Sequence, residues 1–114
     1  MPFFEVRSYH FKPELFEAYK DWARNEAVPF ISNKMDMVGF WVDLPNEPPV
    51  VIGEVPDPLG HANITWIIRF NDRAHCDQVW KDILGSDEWK DLFSRVPGGP
   101  AGYLRIESRF MDSL

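Results

Sequence analysis

The sequence predicts an α+β fold with the ferredoxin-like element order β-α-β-β-α-β. Three observations predict it. Four segments alternate in polarity with the two-residue period of a strand. Two segments between them repeat apolar residues every three or four positions, as a helix does. Proline, glycine or a short polar capping residue stands where each helix should begin or end. Four strands and two helical segments in this order give one sheet with helices packed on one face.

The first strand is FFEVRSYHF, residues 3–11. Pro13 then stands at a first helical position, where its missing N–H costs nothing. From Leu15 one stripe runs through Tyr19, Trp22, Glu26 and Phe30. Pro29 is expected to kink or end that helix. VGFWVDL, residues 38–44, reads as the second strand. A loop from Pro45 to His61 follows, and its middle, VVIGEV, fits at most an edge strand between prolines. ANITWIIRF, residues 62–70, forms the third strand. Asn71 or Asp72 caps the next helix, whose apolar line is Cys76, Val79, Trp80 and Ile83, and Gly85 breaks it. Ser86 caps a short helix carrying Trp89, Leu92, Phe93 and Val96 on one side. PGGPAG is a turn-rich connector, and YLRIESRFM, residues 103–111, is the last strand.

The chain of 114 residues is expected to form a single domain, 1–114, that buries about two-thirds of the surface its unfolded form exposes. A hydrophobic share of 45% supports a packed core, and five Trp and nine Phe supply bulk for it or for an aromatic pocket. The net charge of -6 argues against a nucleic-acid surface and against an electrostatic contact with anionic lipid. Cys76 is the one cysteine, so neither an internal disulfide nor a thiolate metal site is expected. The opening MPFFEVRSYH has no basic stretch followed by an apolar run, and no apolar stretch reaches the length of a membrane span. A soluble, cytoplasmic protein is the expectation.

Alternation divides the sheet into two faces. The helix-facing set is read as Phe4, Val6, Phe40, Val42, Ile64, Trp66, Ile68, Phe70, Leu104, Ile106 and Phe110, with the polar Ser8, His10 and Ser108 on the same side. The other face then carries Glu5, Arg7, Tyr9, Trp41, Asp43, Asn63, Thr65, Arg69, Tyr103, Arg105, Glu107 and Arg109. Its aromatic rings and opposite charges fit a face-to-face homodimer, in which a two-fold axis pairs the patch with itself. The alternative is a wet face with cross-strand ion pairs worth little each.

No phosphate-binding glycine loop, nucleophile elbow or His-x-x-x-His pair is present. His10, His61 and His75 have no metal-ligand spacing, so neither metal nor cofactor is expected. Glu26 is the most pointed residue. On the axis of an apolar stripe it aims a carboxylate at the core or at a cavity in it. Desolvation there should raise its pKa toward the range of a general acid or base. The structural alternative is that Glu26 reaches out to solvent or a backbone N–H. His10 is the second candidate for moving a proton, or else is satisfied by backbone near a strand end. Ser8, Tyr19, Trp22, Phe40 and Trp66 are candidates to line a ligand pocket between sheet and helices, though aromatic stripes also read as plain core. His61 and the prolines before it could form a lid, or simply a variable surface loop.

FEVRSYHFKP resembles the opening strand of NIPSNAP-type domains, whose pattern is aromatic-Glu-Leu-Arg-x-Tyr ending in Lys-Pro-Gly. Glu5, Arg7, Tyr9, Lys12 and Pro13 match it, and Glu14 stands at the glycine. Pro29 and VGFW at 38–41 resemble the family's helix end and Gly-Phe-Trp strand. Asp87, Glu88, Trp89, Leu92 and Phe93 resemble its Asp-Pro-Glu-Trp-x-x-Phe segment. The chain departs from the pattern in the long join from Pro45 to His61, in Ile68-Arg69-Phe70 where the family tends to Trp-x-Tyr, and near Cys76, where a helix Arg is typical.

The resemblance implies a dimeric α+β barrel, two ferredoxin-like sheets face to face. The polar, aromatic sheet face read above would then place Glu5, Arg7, Arg105, Glu107 and Arg109 inside it. It does not imply one reaction, since relatives of that barrel include cofactor-free monooxygenases, lactone isomerases, cyclases and binding proteins. Two functions are therefore expected in competition. One is a small cofactor-independent enzyme acting by proton transfer on an aromatic or cyclic small molecule, as an isomerase, cyclase, lyase or oxygenase. The other is a non-catalytic ligand-binding or protein-interaction dimer. A cavity beside Glu26 and His10 would favour the first and a filled core the second.

Overall fold

A computed structural model describes residues 3–54 and 58–114. The strands are β1 (Phe3–Phe11), β2 (Asp36–Val42), β3 (Ile64–Phe70) and β4 (Tyr103–Asp112). They lie in the spatial order β2-β3-β1-β4, each antiparallel to its neighbour. This is the ferredoxin-like arrangement read from the sequence, with β2 two residues earlier than expected. The described part of VVIGEV is not a strand, and Val55 lies outside the described residues.

The first helical rod runs from a short 3-10 turn (Pro13–Leu15) through α1 (Phe16–Trp22), a π turn (Ala23–Ala27) and α2 (Val28–Lys34). Pro29 does not end it. In an α-helix its ring would strike the carbonyl four residues back, and the wider π turn directly before it relieves that contact. The π turn also moves the buried face. Tyr19, Ala23, Ala27 and Ile31, each four apart, are all buried with Trp22. A regular helix would rotate such a line steadily away from the sheet, and the extra residue in the π turn brings it back.

α3 (Arg73–Leu84) is capped by Asp72, whose carboxylate accepts from the His75 N–H at 2.8 Å. α4 (Asp87–Phe93) is capped by Ser86, whose hydroxyl accepts from the Trp89 N–H at 3.2 Å. The expected caps therefore form, each meeting one orphan N–H of its helix. The core lies between the helices and one sheet face, with Trp66, Tyr19, Phe11, Ile64, Ile68 and Cys76 fully buried. Among the described residues no helix is long and apolar enough to cross a membrane.

The register corrects the face assignment of β1. Glu5 pairs with Ile68, Arg7 with Trp66 and Tyr9 with Ile64, and directly opposed residues share a face. Glu5, Arg7 and Tyr9 therefore face the helices, beside the core residues of β3. Phe4, Val6, Ser8 and His10 occupy the open face. Alternation separates two sets but does not say which is buried, and here the set containing the charges is the buried one. Tyr103 also changes side: a bulge between His10 and Phe11 sets it opposite Phe11, edge-on to that ring at 5.0 Å.

Candidate functional site

The helix-facing side of β1 carries a buried polar network. Glu5 is 2% exposed. Its Oε1 accepts from the Trp80 indole at 2.6 Å and lies 3.6 Å from the Cys76 thiol, and its Oε2 accepts from Arg7 Nη1 at 2.9 Å. Arg7 Nη1 also donates to the Ser108 hydroxyl at 2.8 Å, and Arg7 Nε donates to the Tyr9 hydroxyl at 2.7 Å. The guanidinium carbon sits 4.5 Å from the Trp80 ring centroid and 5.8 Å from that of Trp66, so indoles border the cation as well. Burial alone would lower the Arg7 pKa, but Tyr9 and Glu5 outweigh it and the pKa is raised. The cation is permanent.

Above this network is a cavity of about 200 Å³ between the sheet and the helices. Arg7 and Tyr9 of β1, Phe40 of β2 and Trp66 of β3 form its floor. Tyr19, Trp22 and Ile31 come from the first helical rod, Trp80 from α3, Trp89 and Phe93 from α4, and Tyr103 from β4. Leu84 and Ile106, both about half exposed, mark the mouth. An apolar cavity of 150 Å³ accommodates benzene, so this one has room for a substituted ring.

Most polar groups on these walls are occupied. Trp22 Nε1 donates to the Leu92 carbonyl at 3.0 Å and Trp66 Nε1 to the Tyr9 hydroxyl at 2.9 Å. Tyr19 packs edge-on against Tyr103, with ring centroids 6.1 Å apart. Burial raises the pKa of both phenols, with Tyr9 adding to it in each case, so both stay neutral. The Cys76 thiol is pushed up to about 12, first by burial and then by Glu5. It is a hydrogen-bonding hydrophobe and not a nucleophile.

Of the residues singled out in the sequence, Tyr19, Trp22, Phe40 and Trp66 meet around this cavity. Glu26 does not. The π turn carries Ala27 inward in its place, and Glu26 instead accepts from Arg95 Nε at 2.8 Å, Arg95 also binding Asp91 at 2.9 Å. Those two carboxylates hold the Arg95 pKa up. Ser8 and His10 lie on the open sheet face. His10 Nε2 is 3.0 Å from the Gly60 carbonyl, and its buried Nδ1 has no partner among the described residues. His61 lies 2.8 Å from Asp43, half exposed at the end of the long loop. No described residue of that loop lines the cavity; residues 55–57 lie outside the description. Among the described residues no three His, Cys, Asp or Glu side chains converge as a metal site requires.

The residues that sequence reasoning missed are Glu5, Arg7, Tyr9 and Tyr103 on the helix side, with Trp80 and Trp89 read only as core. One signal was present. The odd positions of β1 begin and end with Phe3 and Phe11, so the charged pair is bracketed by rings on its own face.

The architecture and cavity define the class as an α+β ferredoxin-like domain with an aromatic pocket beneath its helices. No family model and no curated protein matches the sequence. Solved structures do. A NIPSNAP family protein from Agrobacterium tumefaciens superposes with a TM-score of 0.77 at 12% identity, covering 100% of this chain and 94% of that one. A NIPSNAP-like domain protein from Burkholderia xenovorans gives 0.73 at 11% identity, covering 99% and 85%. A structure named as an antibiotic biosynthesis monooxygenase gives 0.56 at 14% identity, covering 100% and 99%. The chain thus shares the ferredoxin-like fold of these NIPSNAP structures.

Proposed function

We propose that the protein binds a planar aromatic or cyclic small molecule in the cavity between sheet and helices. The observation that carries this is a partly open cavity walled by indole and phenol rings, set directly over a buried ion pair. A pocket of mainly aromatic walls with a few fixed polar groups is the usual form of a small-molecule site. A fold needing only a filled core gains nothing from such a gap, because unfilled space forfeits packing contacts.

A second reading makes the same cavity catalytic, by cofactor-independent isomerisation, cyclisation, elimination or oxygenation of the ring. The likeness to the protein named as an antibiotic biosynthesis monooxygenase favours it. Glu26 and His10 are outside the cavity as the side chains stand, so a proton-moving group there has to come from the walls themselves.

A homodimer through the open sheet face accompanies either reading. Half-exposed Trp41 lies on that face with Phe4, Val6, Ile67 and Met111, among Arg105, Glu107 and Arg109. Glu5 and Arg7 belong to the other side and are not part of that surface. Light scattering at micromolar concentration should give twice the chain mass, and a monomer mass would remove the dimer.

The binding proposal is tested by calorimetric titration with toluene and naphthalene. Wild type should bind at least one of them. Ala27→Phe should abolish binding, because Ala27 is 2% exposed and lines the cavity. Undiminished binding in that folded variant would put the ligand elsewhere.

A further inference from the structure

The geometry points to Tyr9 as a hydrogen-bond donor to a ligand oxygen, and so to a ring-borne carbonyl, as the ketone or its enolate, as the ligand class. This rests on the binding role proposed above for the cavity.

A tyrosine hydroxyl has two lone pairs and one proton. Both lone pairs of Tyr9 are taken, by Arg7 Nε–H at 2.7 Å and by Trp66 Nε1–H at 2.9 Å. Its proton has no acceptor among the described residues, and Tyr9 lines the cavity. The hydroxyl can therefore act only as a donor toward a guest. Donation from a cation into its oxygen polarises the O–H, as in any hydrogen-bond chain. Arg7 Nη2 likewise has no partner among the described residues, so the second group at this end of the wall is also a donor. The Trp22, Trp66 and Trp80 indoles are all engaged elsewhere.

The wall thus asks for an acceptor. A ring carbonyl satisfies it, and an enolate oxygen satisfies it better, because donors fixed beforehand act most strongly on charge held in a water-poor site. Glu5 sets the limit of this preference. Its carboxylate neutralises Arg7 from behind, at 2.9 Å, so the site attracts an oxygen dipole without requiring a full anion. Glu5 is a positioning residue, since it touches Arg7 and lies outside the cavity wall.

The test compares acetophenone with α-methylstyrene, which has the same planar shape with a methylene in place of the oxygen. In calorimetric titrations wild type should bind acetophenone at least about tenfold tighter, the scale of one well-placed polar hydrogen bond. Tyr9→Phe should lose that preference and keep α-methylstyrene. Because Tyr9→Phe also leaves two donors without an acceptor, a wild-type readout stands beside it. The carbonyl stretch of bound acetophenone should fall well below its frequency in hexane. Equal binding of both compounds, with a hexane-like stretch, overturns the donor role while leaving the cavity as a binding site. Failure of both compounds to bind, with toluene and naphthalene also failing, overturns the binding role and this inference together.

Discussion

Two Glu–Arg pairs, each two residues apart along a strand, sit on opposite faces of this sheet. Glu5–Arg7 lies beneath the helices at 2.9 Å, with side chains 3% and 18% exposed. Glu107–Arg105 lies on the open face at 3.2 Å, with side chains 37% and 43% exposed. The residue types and spacing are the same, and the surroundings decide what each pair does. The open pair trades contacts with water and contributes little. The buried pair is held by Trp80, Cys76, Tyr9 and Ser108, and its charges are tolerable only while every partner is present. A protein that places such a network under an aromatic cavity has given up apolar core at that spot.

The largest expected effect breaks the buried pair. Arg7→Ala leaves the Glu5 carboxylate without its cation, and urea unfolding should show a loss of about 3–5 kcal/mol. A loss below 1 kcal/mol would mean that Glu5 and Arg7 are solvated and the face assignment is wrong. Trp80→Phe is milder. It keeps an aromatic ring beside Arg7 but removes the indole donor to Glu5, for an expected loss of about 1–3 kcal/mol.

Alkaline pH offers a third comparison. The folded Cys76 thiol ionises only near about 12, whereas the unfolded thiol ionises near its ordinary 9.0. Between those values the unfolded state binds fewer protons, so stability should fall as pH rises through that window. The raised Tyr19 and Tyr103 phenols act in the same direction. Cys76→Ala should flatten the early part of the fall in pH-dependent thermal melts, and an identical pH profile would show that the thiol is not desolvated. The smallest effect belongs to the open face. Glu107→Ala should change monomer stability by about 1 kcal/mol or less. If its effect instead grows with protein concentration, the open pair is buried by a second copy.

Element order and caps were legible because they depend on local chemistry. Asp72 and Ser86 accept the N–H groups three residues on, as such side chains do at any helix start. The aromatic half of the cavity was legible for a similar reason, since Tyr19, Trp22, Phe40 and Trp66 follow simple helical and strand periods. The polar half was not. Placing Glu5 and Arg7 inward contradicts the rule that charges face water, and only the tertiary partners, Trp80 and Ser108 among them, make it tolerable. Glu26 misled because the stripe through Leu15, Tyr19, Trp22 and Phe30 assumes a regular helix. The π turn that moves Ala27 inward is an adjustment to Pro29 and to packing, which periodicity alone does not reveal.

The central claim is that the helix-side face of the sheet, and not its open face, receives a ligand. The most direct measurement is an NMR titration with naphthalene that follows indole N–H and methyl resonances from both faces at once. The account predicts saturable shifts at the Trp66 and Trp80 indoles and the Ile31 methyls, with Ile67 and Met111 methyls on the open face unmoved. Shifts confined to Ile67 and Met111, with the cavity resonances still, would contradict it.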